Sequence, residues 1–272
     1  MSRRGSRPAD PGSEELAPGD GPESLPPAGP GVRIASILIW VLWLAATALW
    51  TLVVGGVYLL TAWWDRRRWY AGRTFRLGAR ILLFLNPFWR VRIVGAPPSD
   101  DLYPFVAVSN HESLADILII GTIPWDMKWL SKVEIFRIPF LGWMMRMAGD
   151  VPVHRSSASG RVEAYGRLRS WMDRGASVMI FPEGTRSRTS ELLRFQNGAF
   201  RLALETGRPL LPIAVSGTRE AIRKGNPWFG RADVVVRILD PVPVQDLGPE
   251  ALEKLRDGLR ARIDEARRRP EA

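Results

Sequence analysis

The sequence contains no cysteine and only two histidines, His111 and His154. Without thiols there is no disulfide framework, no zinc ribbon, no cysteine nucleophile and no CxxC redox pair. Two histidines also exclude a multi-histidine metal centre. His111-Glu112 opens like a zinc-protease motif, but no second histidine follows at the spacing that motif requires. Equally missing are a GxxxxGK[ST] phosphate loop, a GxSxG nucleophile elbow and a GxGxxG dinucleotide fingerprint. There is no internal repeat. Acidic residues are in deficit, 28 against 38 basic ones, and the resulting +10 points to an anionic partner: nucleic acid, anionic lipid or a phosphorylated substrate. What abounds is tryptophan, 12 residues, more than a soluble domain needs and suited to a membrane interface. A length of 272 residues allows one catalytic-sized domain with an appendage, large enough to bury its core without metals or disulfides.

Residues 1–32 are rich in proline, glycine and serine and read as a disordered leader. Residues 33–86 read as membrane-associated helices. From Ile34 to Trp64 there is no charged side chain. A helix of that run is about 46 Å long against a hydrocarbon core of about 30 Å, so it spans with tilt or breaks near Gly55-Gly56 and turns back. Trp63, Trp64 and Trp69 flank Arg66, Arg67 and Arg68 as an interfacial belt over anionic headgroups would. A second helix with Leu77, Ile81, Leu82, Phe84 and Leu85 on its apolar face is expected to lie in the interface, its basic side on the membrane surface. The excess of arginine after the apolar run places the remainder of the chain in the cytoplasm, at the cytoplasmic membrane.

Residues 87–272 have globular composition. Short β-like runs at Val91–Val94, Phe105–Ser109, Val178–Phe181, Leu210–Val215 and Val234–Leu239 are interspersed with helical patterns at Gly160–Arg174 and Gly198–Thr206. A closing helix carries Leu252, Leu255, Leu259 and Ile263 on one face. The alternation predicts an α/β domain, a mixed, largely parallel sheet flanked by helices.

Two clusters carry chemistry. In Ser109-Asn110-His111-Glu112-Ser113-Leu114-Ala115-Asp116 an apolar strand runs into a polar loop and then into an apolar helix. On one continuous helix His111 and Asp116 would point about 140° apart, so they meet only if the chain turns, for instance with Ser113 capping the helix. If they meet, Asp116 holds one ring nitrogen and the other accepts a proton: a general base without a protein nucleophile, suited to activating a substrate hydroxyl. The second cluster, Phe181-Pro182-Glu183-Gly184-Thr185-Arg186-Ser187-Arg188, is a turn-prone loop after a strand, with a glycine for close approach and guanidinium groups for phosphate. Between them, Lys132 and Arg155 are candidate anion ligands or plain surface charges.

Asn110-His111 with Asp116, Lys132-x-Glu134, Gly149 through Arg155, Phe181 through Ser187 and Leu211-Pro212-Ile213-Ala214-Val215 occur in that order over roughly residues 75–245. This arrangement resembles the glycerolipid acyltransferase family, in particular its bacterial 1-acyl-sn-glycerol-3-phosphate acyltransferases. The resemblance implies that His111 deprotonates the free hydroxyl of lysophosphatidic acid, with Asp116 orienting it, and that the oxygen attacks the thioester of acyl-CoA or acyl-carrier protein without an acyl-enzyme. It implies an acceptor-binding block at Glu183, Gly184, Thr185 and Arg186, with Arg186, Lys132 and Arg155 on the phosphate, and an acyl side shaped by Leu211 and Pro212. No cofactor and no metal are implied beyond the acyl donor. The N-terminal two-helix element would lie in the leaflet and admit lipid sideways. His154 and Gln196 depart from the family pattern and leave open another lyso-lipid, such as a lyso-ornithine lipid, or glycerol 3-phosphate as acceptor. A non-catalytic protein binding anionic membrane or nucleic acid is the reading from a different class; base-contacting motifs are absent, so nucleic acid is not expected as a partner.

Overall fold

The computed structural model describes residues 29–269 apart from Arg188 and Lys224, so nearly all of the expected leader lies outside the described residues. Helix α1 (Pro30–Thr61) starts with a proline in its first turn, where the missing N–H costs nothing, and runs unbroken through Gly55-Gly56. Its length is about 48 Å. The buried stripe is Ser36, Ile39, Trp43, Thr51 and Val54, which fits one face of a helix. Leu38, Leu42, Leu49, Leu52, Leu59 and Leu60 are exposed on the rest. Arg68, with left-handed backbone (φ 53°), turns the chain into α2 (Trp69–Phe84), which packs back along α1. Indole N–H groups join the pair: Trp43 donates to the Leu82 carbonyl at 2.8 Å and Trp50 to that of Thr74 at 2.9 Å. Gly78 permits the contact, since a Cβ there would lie 2.6 Å from the Trp50 ring.

The pairing of α2 corrects the sequence expectation in part. Part of its basic side is tied to the protein. Arg67 pairs with Asp126 at 2.9 Å and Arg76 with Asp150 at 2.6 Å, while Arg73 and Arg80 donate to the carbonyls of Pro124 and Thr122. The exposed side holds Leu77, Ile81 and Phe84 together with Arg73 and Arg80. The reason is pairing: Asp126 and Asp150 are buried and need cationic partners, and the turn before α2 supplies Arg67 while α2 supplies Arg76.

The domain beyond contains β1 (Trp89–Val94), β2 (Val106–Ser109), α3 (Ala115–Gly121), β3 (Met127–Lys132), α4 (Leu141–Ala148), β4 (Val151–Val153), α5 (Ala158–Asp173), β5 (Ser177–Ile180), α6 (Gly198–Thr206), β6 (Leu210–Ser216), α7 (Thr218–Ala221), β7 (Ala232–Ile238) and α8 (Leu252–Arg268). The seven strands form one sheet in the order β1-β7-β6-β2-β5-β3-β4. β6, β2, β5, β3 and β4 run parallel to one another, and β7 and β1 run the opposite way. Central strands such as β5 are buried at every residue, as expected of a sheet covered on both faces. One face carries Ala107, Met179, Leu211 and Ile213 against α1 and α3, with Leu82, Leu83 and Leu85 at its edge. The other carries Val106, Val108, Val178 and Leu210 against α5, α6 and α8. The five expected strands and the expected helices are present, and β3 and β4 add to them.

Candidate active site

The parallel strands deliver every polar candidate to one edge of the sheet. His111 follows β2 by two residues, Lys132 ends β3, Arg155 lies two residues past β4, and Glu183 lies three past β5. Carboxyl ends of parallel strands are where open α/β sheets hold their ligands, because the loops leaving them converge there.

The loop after β2 is pinned before it reaches the histidine. The Asn110 side chain exchanges two 2.8 Å hydrogen bonds with the backbone of Val215 on β6, continuing the β2–β6 ladder by one rung. The His111 N–H then donates to Glu183 Oε1 at 2.7 Å, and its carbonyl accepts from the Ser187 N–H at 3.0 Å. Its ring stacks on Phe181, centroids 4.2 Å apart. The two clusters expected from sequence are thus interlocked through the backbone of His111.

The turn between His111 and Asp116 is closed by Asp116 itself. Its Oδ2 lies 2.8 Å from His111 Nδ1 and accepts the N–H groups of Glu112 at 2.7 Å and Ser113 at 2.9 Å. Ser113, expected as a helix cap, accepts the N–H of Ala115, the first residue of α3, at 3.3 Å and donates to the Ile222 carbonyl at 2.7 Å. An oxygen already accepting two backbone N–H groups acts as acceptor toward the ring too, so Nδ1 carries the proton and Nε2 the free lone pair. Asp116 is fully buried, whereas 10% of the His111 side chain is open to solvent. The arrangement suits a base that receives its proton at Nε2 and is stabilised as imidazolium by the carboxylate behind it.

Glu183 is buried and accepts a second backbone N–H, that of Leu193, at 3.0 Å. Burial pushes its carboxyl up to about 7; the two N–H groups oppose the shift, and Glu112 and Asp116 reinforce it. A raised carboxyl pKa favours folding while the group is protonated. Glu183 therefore contributes stability that is fully present below about 4.5, its unfolded value, and is lost as pH rises through about 7. Glu183→Gln is expected to flatten the fall in melting temperature across that window, and at pH 5 to lower stability by about 1–3 kcal/mol, since its amide cannot accept both N–H groups. Thermal melts at several pH values check both.

Arg155 donates to the Gly184 carbonyl, so these two candidate blocks also meet, and Gly184 holds the left-handed backbone (φ 70°) that glycine tolerates best. Thr185 is exposed and Arg186 partly buried. Lys132 pairs with Glu134 at 3.5 Å, both half-exposed. Leu211 and Pro212 are buried in β6 beside Ala107 and Val108; successive strand residues face opposite sides, and Leu211 is the one on the α1 side. Among the described residues no group of His, Asp and Glu side chains is placed to hold a metal ion.

Sequence reasoning missed the contribution of α8. Arg267 donates to Glu112 Oε1 at 3.0 Å and to the Ser190 carbonyl at 2.6 Å; Arg260 holds the carbonyls of Leu192 and Leu193; Arg256 reaches the Asn197 side chain at 2.8 Å. The final helix therefore clasps the segment after Glu183 and, through Glu112, the residue next to the base. Burial and Asp116 raise the Glu112 carboxyl, and Arg267 opposes them. Removing a buried partner strands the other charge, so Arg267→Met is expected to cost about 3–5 kcal/mol, and adding Glu112→Gln to return part of it. Urea denaturation of the two variants measures the difference.

The acyltransferase family model matches residues 90–216, the segment holding every candidate residue named above. A chloroplastic 1-acyl-sn-glycerol-3-phosphate acyltransferase of Brassica napus is 39% identical over 170 residues, 61% of this chain and 48% of that protein. One from Cocos nucifera is 30% identical over 226 residues, 81% of this chain and 70% of that protein. The crystal structure of the 1-acyl-sn-glycerophosphate (LPA) acyltransferase PlsC from Thermotoga maritima superposes with a TM-score of 0.70 at 25% identity, covering 86% of this chain and 97% of that one. The chain spans about half the length of the chloroplastic relatives from Brassica napus and Arabidopsis thaliana, 48% and 51%. Shared architecture, and similarity that extends over most of the Cocos nucifera protein, place the chain in the acyltransferase family.

Proposed function

We propose that the protein is a membrane-bound O-acyltransferase that moves a fatty acyl group from acyl-CoA or acyl-carrier protein to the free hydroxyl of lysophosphatidic acid, giving phosphatidic acid. The observation that carries this reading is the 2.8 Å contact between His111 Nδ1 and Asp116. It leaves Nε2 as the basic nitrogen at the mouth of the site. Nε2 takes the hydroxyl proton as the oxygen attacks the thioester carbonyl. When the carbon–sulfur bond breaks, the same proton passes to the departing sulfur, and an ester and a free thiol remain. No protein nucleophile is needed, because thioester-to-ester exchange is downhill and asks mainly for positioning and a base.

Lys132 and Arg186 offer charge to the acceptor phosphate. Arg155 braces Gly184, and Glu183, Gly184 and Thr185 shape the loop against which the acceptor lies. Leu211 is on the face through which an acyl chain arrives from α1 and α2; Pro212 supports the opposite layer. Donor and acceptor are both anionic, and the positive net charge aids encounter.

The membrane reading rests on α1. Its mean hydropathy is 2.3 and only 22% of the apolar window is buried. Near one end Ser36 accepts the Phe229 N–H and Trp40 donates to the Pro227 carbonyl; near the other, Arg68 lies over both Tyr58 and Trp171. A helix fastened to one domain at both ends supports insertion into one leaflet rather than crossing, with the domain on the cytoplasmic side. The test is a matrix of acyl-CoA and acyl-carrier-protein donors against lysophosphatidic acid, lyso-ornithine lipid and glycerol 3-phosphate, using purified protein. Phosphatidic acid as fastest product is expected. Faster transfer to another acceptor overturns the acceptor, and transfer to none overturns the reaction.

A further inference from the structure

A cavity of about 470 Å³ opens where α1 ends, lined by Tyr58, Ala62, Asp65, Arg66, Arg68 and Arg174. It lies at the end of the sheet opposite His111. Arg174 stands between α5 and the start of β5 at Ser177, and the Arg68 carbonyl accepts from Lys128, the second residue of β3, at 3.3 Å. The acyl-transfer residues occupy the other ends of these strands. The two regions are therefore separated by the length of a strand, about 13–20 Å.

The lining brings three guanidinium groups together with one carboxylate, and that carboxylate, Asp65, already accepts the Tyr70 N–H at 2.9 Å. Arg68 lies over Tyr58 and Trp171, and Arg174 lies 4.9 Å over Trp171, so aromatic faces hold both near the cavity. Arg66 and Arg174 are exposed, and among the described residues neither forms an ion pair. Arg67, Arg73, Arg76 and Arg80 are spent on the protein's own carboxylates and carbonyls, and Arg68 gives one N–H to the Arg146 carbonyl, which fixes its guanidinium beside the cavity. Beside the cavity, Leu59, Leu60, Trp63 and Trp64 are exposed, a large apolar wall at the same level. Positive charge inside and apolar surface outside match an amphiphile with a phosphate head.

We infer that this cavity is a headgroup site for an anionic glycerophospholipid, distinct from the acceptor site, with the phosphate between Arg66, Arg68 and Arg174 and the acyl chains along Leu59 and Leu60. The site rests on the proposed insertion of α1 into a leaflet. It would seat the elbow between α1 and α2 by a specific contact and not by diffuse attraction alone.

The test is flotation of the purified full chain with vesicles of phosphatidylcholine alone or containing phosphatidylglycerol, comparing wild type with the Arg66→Gln/Arg174→Gln double variant. An Arg201→Gln/Arg208→Gln variant, which loses the same charge from exposed positions at α6, is the control. Each arginine near an anionic surface contributes about fivefold in affinity, so the double variant is expected to bind anionic vesicles roughly 25-fold more weakly, the control much less. Binding to phosphatidylcholine and acylation of lysophosphatidic acid in detergent micelles should be unchanged. Equal losses in control and site variants would assign the effect to bulk charge and overturn the site. Arginine-directed labelling of Arg66 and Arg174 gives a second readout: protection by anionic vesicles is expected, while protection by soluble glycerol 3-phosphate alone overturns the lipid assignment. If wild type floats with neither vesicle, the membrane reading itself fails, a result separable from loss of the site.

Discussion

His111→Ala is expected to lower kcat for acyl transfer by about 10³-fold or more, the upper part of the range for a positioned general base. The loss belongs to chemistry and not to folding. What His111 gives the architecture is its backbone: the N–H bonded to Glu183 and the carbonyl bonded to Ser187 survive the substitution. The ring's stacking on Phe181 and its hydrogen bond to Asp116 go, together about 2–4 kcal/mol, while Asp116 keeps the N–H groups of Glu112 and Ser113, so a folded protein remains. The KM for lysophosphatidic acid should move little, because the ring binds only the hydroxyl, and vesicle binding should not change, because α1 and α2 are untouched. Steady-state kinetics beside a thermal melt separates these effects. Activity within tenfold of wild type would remove His111 from the role of base and return the basic surface to the non-catalytic reading.

How much of this was legible depends on the kind of signal. Strands buried on both faces, such as β5 and β6, are written as continuous apolar runs and were found within two residues of their bounds. β3 was not, because Met127-Lys128-Trp129-Leu130-Ser131-Lys132 interrupts the apolar pattern with lysines. Lys128 is nonetheless fully buried: its ammonium reaches Asp126 at 2.9 Å, though burial still pulls its pKa down. A paired buried charge cannot be told from a surface charge by periodicity. The same ambiguity affects the arginines at α2, where Arg67 and Arg76 look like part of a membrane-facing stripe until Asp126 and Asp150 are placed beside them. It also hid the clasp made by α8, where Arg256, Arg260 and Arg267 read as a solvated face. The His111–Asp116 pair lay between these cases. Spacing said that the two meet only if the chain turns; it could not say that the aspartate itself makes the turn.

Asp116→Asn is expected to lower kcat by about 10²- to 10⁴-fold while leaving the acceptor KM nearly constant. Two outcomes are open to the amide and both impair the base. If its oxygen keeps the N–H groups of Glu112 and Ser113, the ring retains a hydrogen bond but loses the negative charge that stabilises imidazolium. If its nitrogen turns toward the ring, it donates to Nδ1, drives the proton to Nε2 and removes the lone pair that receives the substrate proton. In that orientation the two backbone N–H groups also lose their acceptor in a fully buried position, which costs about 1–3 kcal/mol for each group left unpaired. The two states differ in which ring nitrogen is protonated, so nitrogen chemical shifts of His111 in the variant distinguish them. Asp116→Ala removes the turn's acceptor altogether and should be the less stable of the two variants, although both lack the charge. A purely structural aspartate predicts that activity follows stability through this series. A positioning aspartate predicts that Asp116→Asn loses nearly all its activity while its melting temperature stays above that of Asp116→Ala, and that separation of rate from stability is the decisive measurement.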